Sequence, residues 1–248
     1  MSVPEQNLGP SVESEKPCRV ETELLHNGNH ISSWRVFKIM SEFVNGFDLL
    51  RKYGLAASIF GSTRAKPDSE VYQEAYKLGR MLGERKYTII TGGSSGVMEA
   101  ANKGAYDVGA QSVGLNIKLP FEQAMNPYLT DSETFDHFFT RKVCLTFASE
   151  VYVFFQGGFG TLDEFFEITT LIQTQKIENI PVILVGRDYW LPLLEVIRVE
   201  LLEKRGTISP EDIHIYKLVD TAEEAAALID ELVTCRHRER GDNVLEKE

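Results

Sequence analysis

The sequence predicts a doubly wound parallel α/β sheet in a single domain. Three observations carry that expectation. Short apolar runs alternate with longer amphipathic segments through most of the chain. Several runs, such as VYVFF and PVILV, are continuously apolar, as strands covered on both faces are. A segment with helical spacing follows most of these runs, which gives right-handed crossovers between parallel strands.

Residues 1–33 are polar, rich in Pro, Gly, Ser and Glu, and read as a mobile tail. Trp34–Tyr53 reads as a helix, because Val36, Phe37, Met40, Phe43, Val44, Phe47 and Leu50 recur at helical spacing. Ser33 is its N-cap and Gly54 its stop, so residues 34–54 form a helical extension. The α/β domain is expected over 55–235. Its strands are Ala56–Phe60, Tyr87–Thr91, Ser112–Ile117, Val151–Phe155, Pro181–Val185 and a weaker Ile213–Leu218. Its helices are Ser69–Arg85, Val97–Gly109, Phe138–Ser149, Thr161–Thr174, Tyr189–Lys204 and Ala222–Val233. Residues 236–248 are mostly charged and read as a fraying tail.

The formal net charge is −11 over 248 residues. That argues against a nucleic-acid polymer as partner, since phosphate backbones need excess Lys and Arg. A single small anion stays open, because backbone N–H groups can bind it. Cys18, Cys144 and Cys235 are too scattered for a disulfide framework, and no C-x-x-C suggests zinc. A reducing cytoplasm is the expected compartment. The opening MSVPEQNLGPSVESEKP lacks a basic n-region and an apolar h-region, so it is not expected to be a signal peptide. No apolar run approaches the ~20 residues that span a bilayer, and no membrane partner is expected.

In a parallel sheet the strands end, and the following helices begin, at one edge, where ligands bind. Four segments should meet there. Gly61-Ser62-Thr63-Arg64 is either an anion loop or an ordinary βα turn. Thr91-Gly92-Gly93-Ser94-Ser95-Gly96 opens a helix, but its spacing is not the dinucleotide G-x-G-x-x-G. Glu99 in that helix reads as a complement to the helix dipole. Phe138-Phe139-Thr140-Arg141-Lys142 is either a solvated basic pair or a pair of cations placed where anions arrive. Gln156-Gly157-Gly158-Phe159-Gly160-Thr161-Leu162-Asp163-Glu164 is the sharpest: bare glycine amides and a Thr hydroxyl at a helix start suit a phosphate. No Gly-Lys-[Ser/Thr] follows, so it is not a Walker A loop. Asp163 and Glu164 point about 100° apart, so one of them can face a ligand while the other complements the dipole.

With GGSSGVMEAANKGA, FFTRKVCL and QGGFGTLDE in this order, the chain resembles the LOG (Lonely Guy) phosphoribohydrolases, also called lysine decarboxylase-like proteins. The resemblance runs from about Leu55 to Val233. It implies a Rossmann-like sheet, a homodimer or dimer-based oligomer, and hydrolysis of nucleoside 5′-monophosphates to free base and ribose 5-phosphate. AMP and cytokinin riboside 5′-monophosphates are the implied substrates, with no cofactor and no metal. Arg141 and Glu164 match the catalytic pair, and Lys142 the neighbouring cation. Gly157, Gly158, Phe159, Gly160 and Thr161 match the phosphate loop. Gly61, Ser62, Gly92, Gly93, Glu122 of LPFE, Asp163 and Thr170 complete the expected substrate contacts. Gln156 departs from the family's usual Pro, which removes no chemical group. The lysine decarboxylase label has little support, since no lysine sits in a recognisable pyridoxal phosphate site.

The expected chemistry follows glycoside hydrolysis. Positive charge develops on the ribose as C1′–N breaks; Glu164 stabilises it and orients or deprotonates the attacking water, while Arg141 holds Glu164 ionised, anchors the nucleotide or stabilises the departing base. His137 is either a surface or core histidine or an aid to leaving-group protonation. Two rivals use the same edge. A molybdenum-cofactor or nucleotide carrier would bind without the Arg–Glu pair, and a nucleotide sensor would hold AMP without releasing ribose 5-phosphate. The apolar surplus of Val97–Gly109 and the Phe-rich stretches point to an obligate homo-oligomer.

Overall fold

The structure is a computed structural model that describes residues 33–120 and 124–240. The expected tail over 1–32, Glu122 and residues 241–248 lie outside the described residues. The chain divides at Lys38 into a unit Met1–Lys38 and a unit Ile39–Glu248. All that follows concerns the second.

Among the described residues, seven parallel strands form one sheet in the order β4-β3-β2-β1-β5-β6-β7. They are β1 (Ala56–Phe60), β2 (Thr88–Thr91), β3 (Ser112–Ile117), β4 (Asp131–Phe135), β5 (Val151–Phe154), β6 (Val182–Val185) and β7 (Tyr216–Val219). The helices are α1 (Ser33–Leu50), α2 (Glu70–Glu84), α3 (Val97–Asp107), α4 (Phe138–Thr146), α5 (Phe159–Gln173), α6 (Arg187–Val196) and α7 (Ala222–Arg240). α6 continues as a π-helical stretch, Ile197–Lys204, and a 3₁₀ turn, Asp212–His214, precedes β7. That turn occupies the start of the run read from sequence as Ile213–Leu218. α7 runs to Arg240, five residues into the segment read as a tail.

Side chains alternate across a strand, so the strands other than β3 and β4 feed two cores. Ala57, Ile59, Ile89, Val151 and Val153 pack with α2, α3 and α7 residues on one face. Ala56, Phe60, Ile90, Leu115, Tyr152 and Phe154 pack on the other, with Leu49 and Leu50 of α1. The Ile39–Leu50 part of α1 thus belongs to the α/β unit. Every residue of β1 and β5 is buried, as their continuous apolar runs require.

Two expectations change. β4 (DSETF) is a strand that the sequence reading left as loop. It is a polar edge strand, made by pairing with β3 from Val113↔Asp131 to Ile117↔Phe135 rather than by burial. The apolar face of α3, expected to serve an oligomer, is used inside the chain. Its Ala101 and Gly104 lie against α2, where a Cβ on Gly79 would come 2.2 Å from the Ala101 carbonyl oxygen.

The strand order reverses between β1 and β5. The crevice above their C-terminal ends is the topological switch point, where a doubly wound sheet takes its ligands.

Candidate active site

The loops after β1 and β5 meet at this crevice. Ser62 N–H donates to the Gln156 carbonyl at 3.0 Å, and the Ser62 carbonyl accepts from Val97 N–H at 3.0 Å. The first, second and fourth edge segments are therefore tied together by backbone. Gly96 has φ +70°, and a Cβ there would lie 2.2 Å from the Ser62 carbonyl oxygen, so this crossing requires glycine. Behind it, Asn102 accepts from the Thr91 hydroxyl at 2.6 Å and from Asn126 Nδ2 at 3.0 Å. Thr91 Oγ1 in turn accepts Gly93 N–H at 2.9 Å. This buried amide network fixes the GGSSG loop.

A cavity of about 740 Å³ opens over the switch point, within the usual range for small-molecule sites. One side of it is the glycine loop Gln156–Thr161, where α5 starts at Phe159 with no side chain capping it. The first amides of α5 are therefore available to an anion, and the helix dipole favours one. Gly157 is pressed against Thr161, whose hydroxyl would lie 2.1 Å from a Cβ. Gly158 and Gly160 meet nothing within 4 Å, which leaves open room beside the loop. Tyr189 at the start of α6 donates to the Gly157 carbonyl at 2.6 Å and fixes the entry to the loop.

The other side holds two charged groups. Arg141 leaves α4, donates from Nε to the Leu115 carbonyl at 2.6 Å, and lies against Gly92. A Cβ on Gly92 would come 2.4 Å from an Arg141 terminal nitrogen, so glycine there gives the guanidinium its place. Glu164, one turn into α5, is only 7% exposed, and its Oε2 has no hydrogen-bond partner. Burial pushes its pKa up to about 7; Arg141 opposes the shift, Glu167 adds to it, and Lys142 opposes it. Burial lowers the Arg141 pKa, and the charge of Glu164 opposes that shift. Desolvation outweighs the arginine and leaves a carboxyl that titrates near neutrality.

The other expected site residues divide. Gly61, Ser62, Gly157, Gly158, Phe159, Gly160, Thr161 and Asp163 line the cavity with Arg141 and Glu164. Gly93 sits behind, with φ +70°, packed on Gly114 and Asn116. Lys142 does not line the cavity, because its Nζ is drawn between Asp163 at 2.8 Å and Glu167 at 3.1 Å. Thr170 is exposed and lies outside the cavity; six residues beyond Glu164 is about 240° around the helix. Glu99 is not a lining residue and accepts from the Tyr72 hydroxyl at 3.3 Å. Met98, Phe138, Arg64 and Tyr189 also line the cavity. Tyr189 was missed as a site residue. Its place at the first helix after β6, on the same edge, was the available signal.

A family model described as "Possible lysine decarboxylase" matches residues 98–229. The chain is 30% identical over 182 residues to cytokinin riboside 5′-monophosphate phosphoribohydrolase LOG3 of Arabidopsis thaliana, covering 72% of this chain and 82% of that one. It is 33% identical over 98 residues to an uncharacterized protein of Archaeoglobus fulgidus, covering 39% of this chain and 63% of that one, under two thirds of that protein's length. The molybdenum cofactor carrier protein of Chlamydomonas reinhardtii shares the fold, with TM-score 0.56 and 19% identity over 73% of this chain and 98% of that one. The chain belongs to the LOG family. No helix among the described residues is long and apolar enough to cross a membrane.

The buried carboxyl has a consequence for stability. Its pKa is about 7 when folded against an ordinary 4.5, so the folded state binds more protons between those values. Its contribution is complete below about 4.5 and is lost as pH rises through about 7, on the order of 3 kcal/mol. Glu164→Gln removes that loss. Thermal melts should show the variant more stable than the wild type by several degrees at pH 8, and the two nearly equal at pH 5. Equal melting temperatures at pH 8 would contradict the burial of an uncompensated carboxyl.

Proposed function

We propose that this chain hydrolyses the N-glycosidic bond of nucleoside 5′-monophosphates, AMP or a cytokinin riboside 5′-monophosphate, to free base and ribose 5-phosphate. The observation that carries the reading is one cavity with an uncapped glycine loop along one side and the half-buried Arg141 and buried Glu164 on the other. The loop and Thr161 take the 5′-phosphate, which fixes the sugar relative to Glu164. The base lies toward the apolar wall of Met98 and Phe138.

As C1′–N lengthens, positive charge grows on the ribose. The Glu164 carboxylate stabilises it and accepts a proton from the attacking water, a task suited to a group that titrates near 7. Arg141 stays protonated and cannot act as a base. It favours the ionised form of Glu164 and binds the departing base or the nucleotide. A carrier on the same fold needs the loop but not this pair.

The chain also works as a homodimer in this proposal. Met40, Val44 and Phe47 form an exposed apolar stripe on α1, and Phe147 lies beside it with its ring 6.4 Å from that of Phe47. Light scattering should give a dimer or a multiple of it, and Val44→Arg should shift it toward monomer. A wild-type monomer with full activity would overturn this.

Ribose 5-phosphate release is the test of function. AMP should be cleaved far faster than adenosine, since binding energy at the loop serves the reaction at C1′. Glu164→Gln should lose about 10²–10³ in kcat, by analogy with loss of one electrostatic contact in an active site. Asp163→Asn is the control. It breaks a surface ion pair with Lys142 and should leave kcat within a few fold. Equal kcat/KM on AMP and adenosine would sink the phosphate loop, and AMP binding without release would favour the carrier.

A further inference from the structure

Glu42 is a carboxylate of α1, 7% exposed, in a position that the chemistry above does not use. Burying it is costly unless donors surround it. Four do. The Thr140 hydroxyl donates to Oε2 at 2.6 Å. The backbone N–H of Asp136 donates to Oε1 at 3.4 Å, and that of His137 to Oε2 at 3.3 Å. His137 Nδ1 lies 2.9 Å from Oε1. All four belong to the entry and first turn of α4, and the N-cap residue His137 gives that helix no side-chain cap. Glu42 supplies the missing cap from a distant part of the chain and places an anion at the positive end of α4.

The next residue of α4 is Arg141. Its Nε is held by the Leu115 carbonyl and its root by the turn that Glu42 caps. One turn further along α1, Gly46 approaches α4 so closely that a Cβ would lie 2.5 Å from Cys144 Sγ. α1 therefore grips α4 at two points on one face. Thr140 Oγ1 lies 2.6 Å from Glu42 and 2.7 Å from the His137 carbonyl, so its single proton is shared between the cap and the helical turn.

We infer that Glu42 is a positioning residue for Arg141, and that α1 sets the geometry of the site through the first turn of α4. The assignment rests on the hydrolase reading for its effect on rate, and on the α4 contacts alone for its effect on Arg141. Because the phosphate loop sits on α5, disturbing α4 should change kcat and leave ligand binding at the loop intact.

The test compares wild type, Glu42→Ala and the near-isosteric Glu42→Gln, with each variant's folded fraction checked and the assay run well below its melting temperature. Glu42→Ala should lower kcat for AMP by about 10–100-fold, the scale of a misplaced catalytic group. The Kd for ribose 5-phosphate should stay within about twofold, and Glu42→Gln should fall between. In parallel, exchange of the Arg141 Nε–H with solvent, followed by NMR, should speed up in Glu42→Ala as the bond to Leu115 loosens. A purely structural cap would lower the melting temperature while leaving kcat per folded molecule and Nε–H exchange unchanged, and that result overturns the assignment. So does faster exchange with unchanged kcat. If Glu42→Ala does not fold, Glu42→Gln carries the same comparison. If the wild type releases no ribose 5-phosphate, the hydrolase reading fails by itself. Nε–H exchange then decides whether Glu42 positions Arg141.

Discussion

Burying Glu164 costs the free energy of stripping water from a carboxylate, and Arg141 offsets only part of that cost. This imbalance governs the rest of the site. It keeps the carboxyl near neutrality in its titration, where it can both accept and return a proton. It also demands that Arg141 be held close by something other than its partner's charge. The Leu115 carbonyl, the cleared space at Gly92 and the Glu42 cap under α4 together meet that demand. A looser arginine would raise the carboxyl's pKa further, and a wetter pocket would lower it toward the ordinary 4.5.

Backbone geometry supplies the other half. The crossing at Gly96 ties the loop after β1 to the start of α3, and the Asn102–Asn126 network locks the GGSSG segment. The loop after β5 stays uncapped, with its carbonyl entry fixed by Tyr189. Rigid strands therefore carry an uncapped helix start to a fixed position beside Arg141 and Glu164. A net acidic chain can bind a phosphorylated substrate in this way, because the attraction comes from oriented amides rather than from surplus cations.

Much of this was legible in the sequence. The apolar runs marked the strands, and the glycine segments after them marked the edge where they meet. What the sequence hid has physical reasons. β4 is polar because an edge strand is made by pairing along its backbone, which leaves no apolar pattern to read. Arg141 and Lys142 are adjacent cations about 100° apart on a helix, and only the packing of α4 decides that the first enters the site and the second turns to Asp163 and Glu167. Glu42 pairs with residues nearly a hundred positions away, so no local signature announces it. Glu164 was visible as a candidate, but its burial depends on neighbours from other strands and helices. Its raised pKa could not be inferred from its position near the start of a helix.

The central claim is that a carboxyl titrating near 7 works in its ionised form. The direct measurement is kcat for ribose 5-phosphate release from saturating AMP between pH 5 and 9. The account predicts that kcat rises through a midpoint at or above about 7 and then levels, since a bound phosphate can only raise the carboxyl's pKa further. Full activity at pH 5.5, the behaviour of an ordinary glutamate, would contradict it.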